Sequence, residues 1–343
     1  MDDARGFLNQ FSGKAILDEV QRVPSLFSYI QTIVDEEDSS GRFVLTGSQN
    51  FLLLRSISQS LAGRCAILHL LPFAISELEG RKPFPIEKIG HALPQKDRTS
   101  HFDLMDMMFS GFYPRIHDKS LNPRDWLANY YRTYVERDVR DIVNVGDIET
   151  FGRFVRMCAG RNGQLLNLSS LANDCGITHT TAKRWISILE ASFIAILLRP
   201  HHRNFSKRLI KSPKLYFLDT GLLCYLLGIR APEELVLHAS RGSVFESLVI
   251  SEFLKNSLHH GDDPDMFFWR DSGSHEIDAV FERAGELIAV EIKSGQTVAG
   301  DFFSGIEYWR KLTGSAKSPA ALIYGGKGSF LRRGVSVYSW ECL

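Results

Sequence analysis

Between residues 14 and 75, short aliphatic runs alternate with stretches of helical spacing. Ala15–Leu17, Phe43–Thr46 and Ala66–Leu71 predict strands, and Pro24–Val34 predicts a helix between the first two. Strand, helix, strand is the rhythm of a parallel sheet with crossovers. Residues 81–100, rich in Pro, Lys, Gly and Gln, mark a boundary. From 101 to 165 the pattern is helical, with a long amphipathic stretch from Arg124 to Val143, and 168–235 reads as a further compact unit. After Ala239 the order becomes helix, strand, strand, helix, strand, ending on Ala320–Tyr324 and Val335–Tyr338. The expectation is an α/β chain in four parts, at 1–80, 81–165, 166–238 and 239–343.

Composition narrows this little. Lys plus Arg and Asp plus Glu both number 40 in 343 residues, so any basic surface is local. The five cysteines form no C-x-x-C pair and are odd in number, which argues against a zinc ribbon or a disulfide framework and for a reducing compartment. The acidic start is no signal peptide, and runs such as Ala191–Leu198 are too short to span a bilayer, so the cytoplasm is the expected location, with no membrane partner.

The first strand runs into Asp18 and Glu19. Adjacent acids at a strand end are where ATPases hold a Mg²⁺-bound water and polarise the attacking one. The next strand ends in Thr46-Gly47-Ser48-Gln49-Asn50, small polar residues at the edge where open parallel sheets bind ligands. Arg64 follows in Ser60-Leu61-Ala62-Gly63-Arg64, either as a finger for a γ-phosphate, in a neighbouring subunit or its own, or as a surface ion pair.

The runs I-L-D-E-V-Q-R-V-P, F-V-L-T-G-S-Q-N-F, S-L-A-G-R and L-H-L-L-P-F-A-I-S-E-L resemble bacterial and archaeal ATPases of the AAA superfamily that carry an uncharacterised carboxy-terminal region. The likeness continues through Tyr134–Val139 and Lys214–Leu222 to the end of the chain. It implies that Asp18 and Glu19 are the Walker B pair, that Ser48 or Asn50 lies near sensor 1, that Arg64 is the finger, and that ATP and Mg²⁺ are the cofactors. No G-x-x-x-x-G-K-[ST] accompanies these motifs. Gly13-Lys14-Ala15 lacks the leading Gly and the hydroxyl, and Gly325–Ser329 has the wrong spacing. The expectation is therefore a partial P-loop ATPase-type sheet that begins inside the fold, without tight ATP binding. Such a sheet exposes apolar surface suited to self-association or a protein partner.

Residues 168–189 read as a helix-turn-helix. Ala172 stands where helices cross, Gly176 makes the turn, Thr178 caps the second helix, and Trp185, Ile186 and Leu189 form its buried face. Strand-like Phe193–Leu198 and Lys214–Leu218 follow, and Arg199, Arg203, Lys207, Arg208, Lys211 and Lys214 have no acid between them. Thr180, Thr181, Lys183 and Arg184 on the second helix, beside that basic wing, suit phosphate contacts in a winged helix bound to DNA; a lid or a protein-docking unit is the other reading.

In the last part Glu246 lies in the predicted helix Val244–Leu254, Asp278 in the strand Glu276–Phe281, and Glu291 and Lys293 on one face of the next strand. An Asp, then E-x-K on the neighbouring strand, plus a helix Glu, is the constellation of the restriction-endonuclease-like fold. In that constellation Asp278 and Glu291 can share a Mg²⁺, with Glu246 a further candidate ligand; a domain that keeps the motif and binds DNA or protein without cutting is the other reading. Lys293 positions or deprotonates the attacking water, and Gln296 assists. Apolar neighbours on both strands argue for a site, since isolated buried carboxylates are costly. His201-His202 and His259-His260 read as solvated loop histidines, and Asp219 as a helix cap.

Overall fold

The computed structural model describes residues 3–11, 13–37, 41–47, 60–94, 99–133, 148–201, 211–283, 285–315 and 318–343. They form two compact units, Met1–Leu68 and His69–Leu343, of mixed α/β structure.

In the first unit α1 (Ala4–Asn9) precedes β1 (Ala15–Leu17), α2 (Ser25–Glu37) and β2 (Phe43–Leu45). β1 and β2 pair in parallel, Ala15 opposite Phe43, so the strand–helix–strand rhythm is a crossover in fact. Leu17, Phe27 and Ile30 close a small core on one side. On the other, Ile16 and Val44 stand opposite each other and are 73% and 53% exposed. The strand expected at Ala66–Leu71 does not form: these residues have no regular structure, and Leu68 and Leu70 are exposed. A strand needs a ladder partner, and among the described residues β1 and β2 pair only with each other.

The second unit begins with α3 (Ile75–Leu78), α4 (Leu104–Ser110), α5 (Pro114–Asp118), α6 (Pro123–Tyr130) and α7 (Ile148–Gly160). Of the stretch Arg124–Val143, residues 134–143 lie outside the described residues. The Pro-rich segment near residue 85 is packed down: Phe84, Ile86 and Ile89 are buried in the main core. β3 (Gln164–Leu165), α8 (Leu168–Cys175), α9 (His179–Ala191), β4 (Ala195–Leu198) and β5 (Lys214–Phe217) follow. Gly176 takes the left-handed conformation a turn requires, φ 69°, and Thr178 accepts the Thr181 N–H to cap α9. The three strands form an antiparallel sheet in the order β3-β5-β4.

α10 (Thr220–Leu226) is capped by Asp219, whose other oxygen accepts the Phe112 N–H at 2.7 Å. α11 (Pro232–Leu237) leads to the long α12 (Arg241–His259). A six-stranded mixed sheet completes the unit: β6 (Met266–Arg270), β7 (Glu276–Arg283), β8 (Glu286–Lys293), β9 (Ala320–Tyr324), β10 (Phe330–Arg332) and β11 (Val335–Ser339), in the order β10-β11-β9-β8-β7-β6. β8, β9 and β11 run parallel, and β6, β7 and β8 are antiparallel. Phe253 of α12 packs with Ile288, Val290 and Ile292 on one face, while Ile306 and Trp309 of α13 (Ser304–Thr313) pack with Leu287 and Ala289 on the other. The two sheets of this unit touch where Pro200 bridges Phe268 and the His201 N–H donates to Phe268 O at 2.7 Å.

Candidate active site at the end of the six-stranded sheet

β7 and β8 pair from Arg283–Glu286 as far as Ala279–Val290, and there the ladder stops. On its other side β7 carries an extra residue: Phe267 opposes Val280, but Trp269 opposes Ile277. A bulge of this kind re-aims side chains and loosens pairing. Asp278 sits in it, and its Oδ2 takes the backbone N–H of Ile292 at 2.8 Å, replacing the lost ladder contact. Glu291 and Lys293 continue the line of Leu287 and Ala289 on β8, so both face α13. The Lys293 Nζ lies 2.7 Å from Glu291 Oε2 and 3.4 Å from Asp278 Oδ2.

Gly305 leaves room for the Glu291 carboxylate where it now stands. A Cβ at Gly305 would stand 1.8 Å from Glu291 Oε1. The start of α13 is therefore shaped around the acid.

Asp278 and Glu291 are buried. Burial would raise the Asp278 carboxyl, but Lys293, Lys214 and the Ile292 N–H outweigh it and hold Asp278 below its ordinary range. Burial and the Asp278 charge push Glu291 well above its own, and a side-chain hydrogen bond links the two carboxyls. Repulsion between closely spaced carboxylates disfavours ionising both. Lys293 is raised despite burial, by Asp278 and then Glu291, so it is an ammonium here. Between two acids it donates hydrogen bonds and charge.

A second cation stands on the far side of Asp278. Lys214, on β5, is 3% exposed, with its Nζ 3.8 Å from Glu246 Oε2, 4.0 Å from Asp278 Oδ1 and in contact with Glu276 Oε1. The sequence placed Lys214 in a basic wing; the structure buries it among acids, because β5 is covered on both faces. Tyr216 OH accepts from Lys214 at 3.2 Å and donates to Glu246 Oε2 at 3.1 Å. Glu246 is thereby engaged with Tyr216 and Lys214, and burial followed by the Asp278 charge pushes its carboxyl up to about 7. Lys214, Tyr216 and Glu276 were missed in the sequence. Their signal was the one that exposed Asp278: polar side chains inside apolar runs, here K-L-Y-F-L.

Among the described residues no group of three or more His, Cys, Asp or Glu side chains is arranged to hold a metal ion. Mg²⁺ does not require one, since it is commonly bound by one or two carboxylates, with waters and substrate phosphates completing its shell. Asp278 and Glu291 fit that demand. They are hard oxygen donors, and Lys293, Lys214 and the Ile292 N–H offset their charge here.

The other expected residues are dispersed. Gln296 lines a separate cleft with His101, Asp103 and Lys327. Thr180, Lys183 and Arg184 are exposed on α9, and Lys183, Arg199 and Lys211 line one groove; Arg203, Lys207 and Arg208 lie outside the described residues. His201 is buried, not solvated, with its Nε2 3.0 Å from Glu282 Oε2, because the junction of the two sheets encloses it.

In the first unit Asp18 Oδ1 accepts the Thr46 hydroxyl and, at 3.0 Å, the Glu19 N–H, tying the ends of β1 and β2. Glu19, at φ 52°, accepts from Gln21 at 2.7 Å. Arg64 makes a two-pronged contact with Asp35, at 2.5 and 3.1 Å, so the ion-pair alternative describes its place here. Ser48 and Asn50 lie outside the described residues.

Residues 2–79 match the family model of an AAA domain, 101–233 that of a domain of unknown function (DUF8612), and 241–343 that of a second (DUF4143). The chain is 29% identical over 290 residues to an uncharacterized protein of Mycobacterium tuberculosis and equally to one of Mycobacterium bovis, covering 84% of this chain and 60% of each relative. An uncharacterized protein of Methanocaldococcus jannaschii is 21% identical over 289 residues, 82% of this chain and 61% of that one. The chain thus spans about three fifths of the length of these relatives. No solved structure matches it. The matches support an AAA-like ATPase relationship for the front segment. No helix among the described residues is long and apolar enough to cross a membrane.

Proposed function

We propose that residues 239–343 carry a Mg²⁺-dependent phosphodiester-hydrolysing site of the restriction-endonuclease-like kind. DNA is its substrate, held by a winged helix at 166–238, and an AAA-type segment, which lacks a phosphate loop and so binds ATP only weakly, makes the reaction responsive to high concentrations of nucleotide. The observation that carries this reading is the Asp278–Glu291–Lys293 group. It comprises two buried acids and an ammonium at the point where two strands part, shaped further by Gly305.

Asp278 and Glu291 would hold Mg²⁺, which supplies Lewis-acid stabilisation of charge on the phosphoryl oxygens. Hydrolysis adds water across a P–O bond: the water oxygen joins phosphorus, the bridging oxygen leaves, and a proton passes from the water to the departing oxygen. Lys293 is placed to hold the incoming water or a non-bridging oxygen by hydrogen bond and to offset the negative charge that grows there. The apolar strands behind it exclude bulk water, which strengthens each of these contacts.

For the front segment, Asp18 at the carboxyl edge of a parallel pair, bonded to Thr46, is the observation that favours nucleotide contact. One assay tests both parts. Duplex, single-stranded and branched DNA are incubated with the purified chain in Mg²⁺ or Mn²⁺, with and without ATP. Cleavage is expected, lost with EDTA and reduced at least ~100-fold in Asp278→Ala and Lys293→Ala. ATP is expected to alter the rate in the native chain and not in Asp18→Ala. Cleavage that survives Lys293→Ala would refute the site, and indifference to ATP would refute the nucleotide role.

A further inference from the structure

Buried and half-buried acids gather around two cations in this unit, and only one of those cations was expected at the site. Lys293 lies between Asp278 Oδ2 and Glu291. Lys214 lies on the opposite side of the same aspartate, 4.0 Å from Oδ1, with Glu246 and Glu276 completing its surroundings. Asp278 is therefore a bridging carboxylate: one oxygen is turned to the Glu291 side and the other to Lys214. In two-metal phosphodiesterases a pair of ions about 3.5–4 Å apart clamps the reacting phosphate, and a carboxylate with one oxygen turned to each cation suits such a pair.

Lys214 is also held firmly where it stands. Its strand belongs to the other sheet of the unit, and the position is delivered by the pairing of Lys214 with Leu198 and Leu165. Tyr216 accepts from its ammonium at 3.2 Å, and the Phe268 ring lies 5.9 Å from it. Arg270 holds the outer oxygen of Glu276 at 3.1 Å, leaving the inner one for Lys214. A buried ammonium persists only where acids and hydrogen bonds compensate its desolvation, and here every facing polar group does so.

We infer that Lys214 is a built-in cation that occupies the place of a second divalent ion, so that this site takes one metal per chain, at Asp278 and Glu291. The inference rests on the reading of Asp278 and Glu291 as the metal-holding pair. It makes Lys214 a positioning residue: it orients Asp278 and neutralises Glu246 and Glu276 without touching the substrate. It also joins the 166–238 segment to the site, since β5 supplies the charge that the six-stranded sheet lacks.

The test is the number of Mn²⁺ ions bound by the full chain, counted by titration calorimetry, with electron paramagnetic resonance reporting whether ions are close enough to couple. Native protein is expected to bind one ion at this site and to give the signal of isolated Mn²⁺ at saturation. Lys214→Ala removes the charge and opens space, and is expected to bind two ions with a spin-coupled signal. Lys214→Arg keeps the charge and is expected to stay at one. A coupled pair in the native chain, or a single ion in folded Lys214→Ala, overturns the inference while leaving the metal pair intact. If Lys214→Ala does not fold, the native spectrum and the Lys214→Arg count decide. Native protein that binds no more Mn²⁺ than Asp278→Asn would remove the underlying metal site, and this inference with it.

Discussion

Glu246 shows how one side chain registers the charge around it. Burial and then Asp278 push its carboxyl up to about 7, while Lys214 and the Tyr216 hydroxyl pull the other way. The folded protein thus retains a proton that the unfolded chain gives up near the ordinary value of 4.5. The folded state binds more protons between those two values, so this group's contribution to stability is present at the acid end and is lost as pH rises through that window. Glu246→Gln is neutral throughout and should flatten the fall, by on the order of 2 kcal/mol between pH 5 and pH 8. Urea unfolding of both proteins at the two pH values measures it. Equal slopes would mean that Glu246 is already ionised at pH 5.

At the scale of elements, the strands that carry the site were legible because their periodicity is clear. Leu287, Ala289, Glu291 and Lys293 alternate with Ile288, Val290 and Ile292, and acids set in such a run require a reason. The bulge at Asp278 was not legible, since it depends on how β6 pairs with β7. β6 itself, Met266–Arg270, escaped notice because five residues without polar alternation carry no period. Ala66–Leu71 misled for the converse reason, being an apolar run with no strand beside it. Lys214 was hidden by its neighbours: a basic residue after Lys211 reads as wing until β5 is seen to be buried. α9 was readable from Gly176, Thr178 and Trp185, and its exposed Lys183 and Arg184 remain the expected phosphate contacts. Replacing both with Ala should weaken DNA binding similarly for all sequences and lower the slope of log K against log salt by about 2, roughly 0.9 per lost contact. An unchanged slope would place DNA elsewhere or exclude it.

Across the whole molecule the chemistry is divided. Met1–Leu68 sets acids and hydroxyls at the edge of a parallel strand pair, and His69–Leu343 builds a carboxylate–lysine site from two sheets. Residues 2–79, which match an AAA domain, take in the first. The denser constellation lies in the second, where residues 214 to 293 converge on Asp278. The most direct measurement of the metal site is anomalous diffraction from crystals of the full chain soaked in Mn²⁺. A single peak is predicted, bound by Asp278 and Glu291, with Lys293 and Lys214 on either side of the aspartate. A map with no peak at these carboxylates would contradict the metal site and the hydrolytic function built on it.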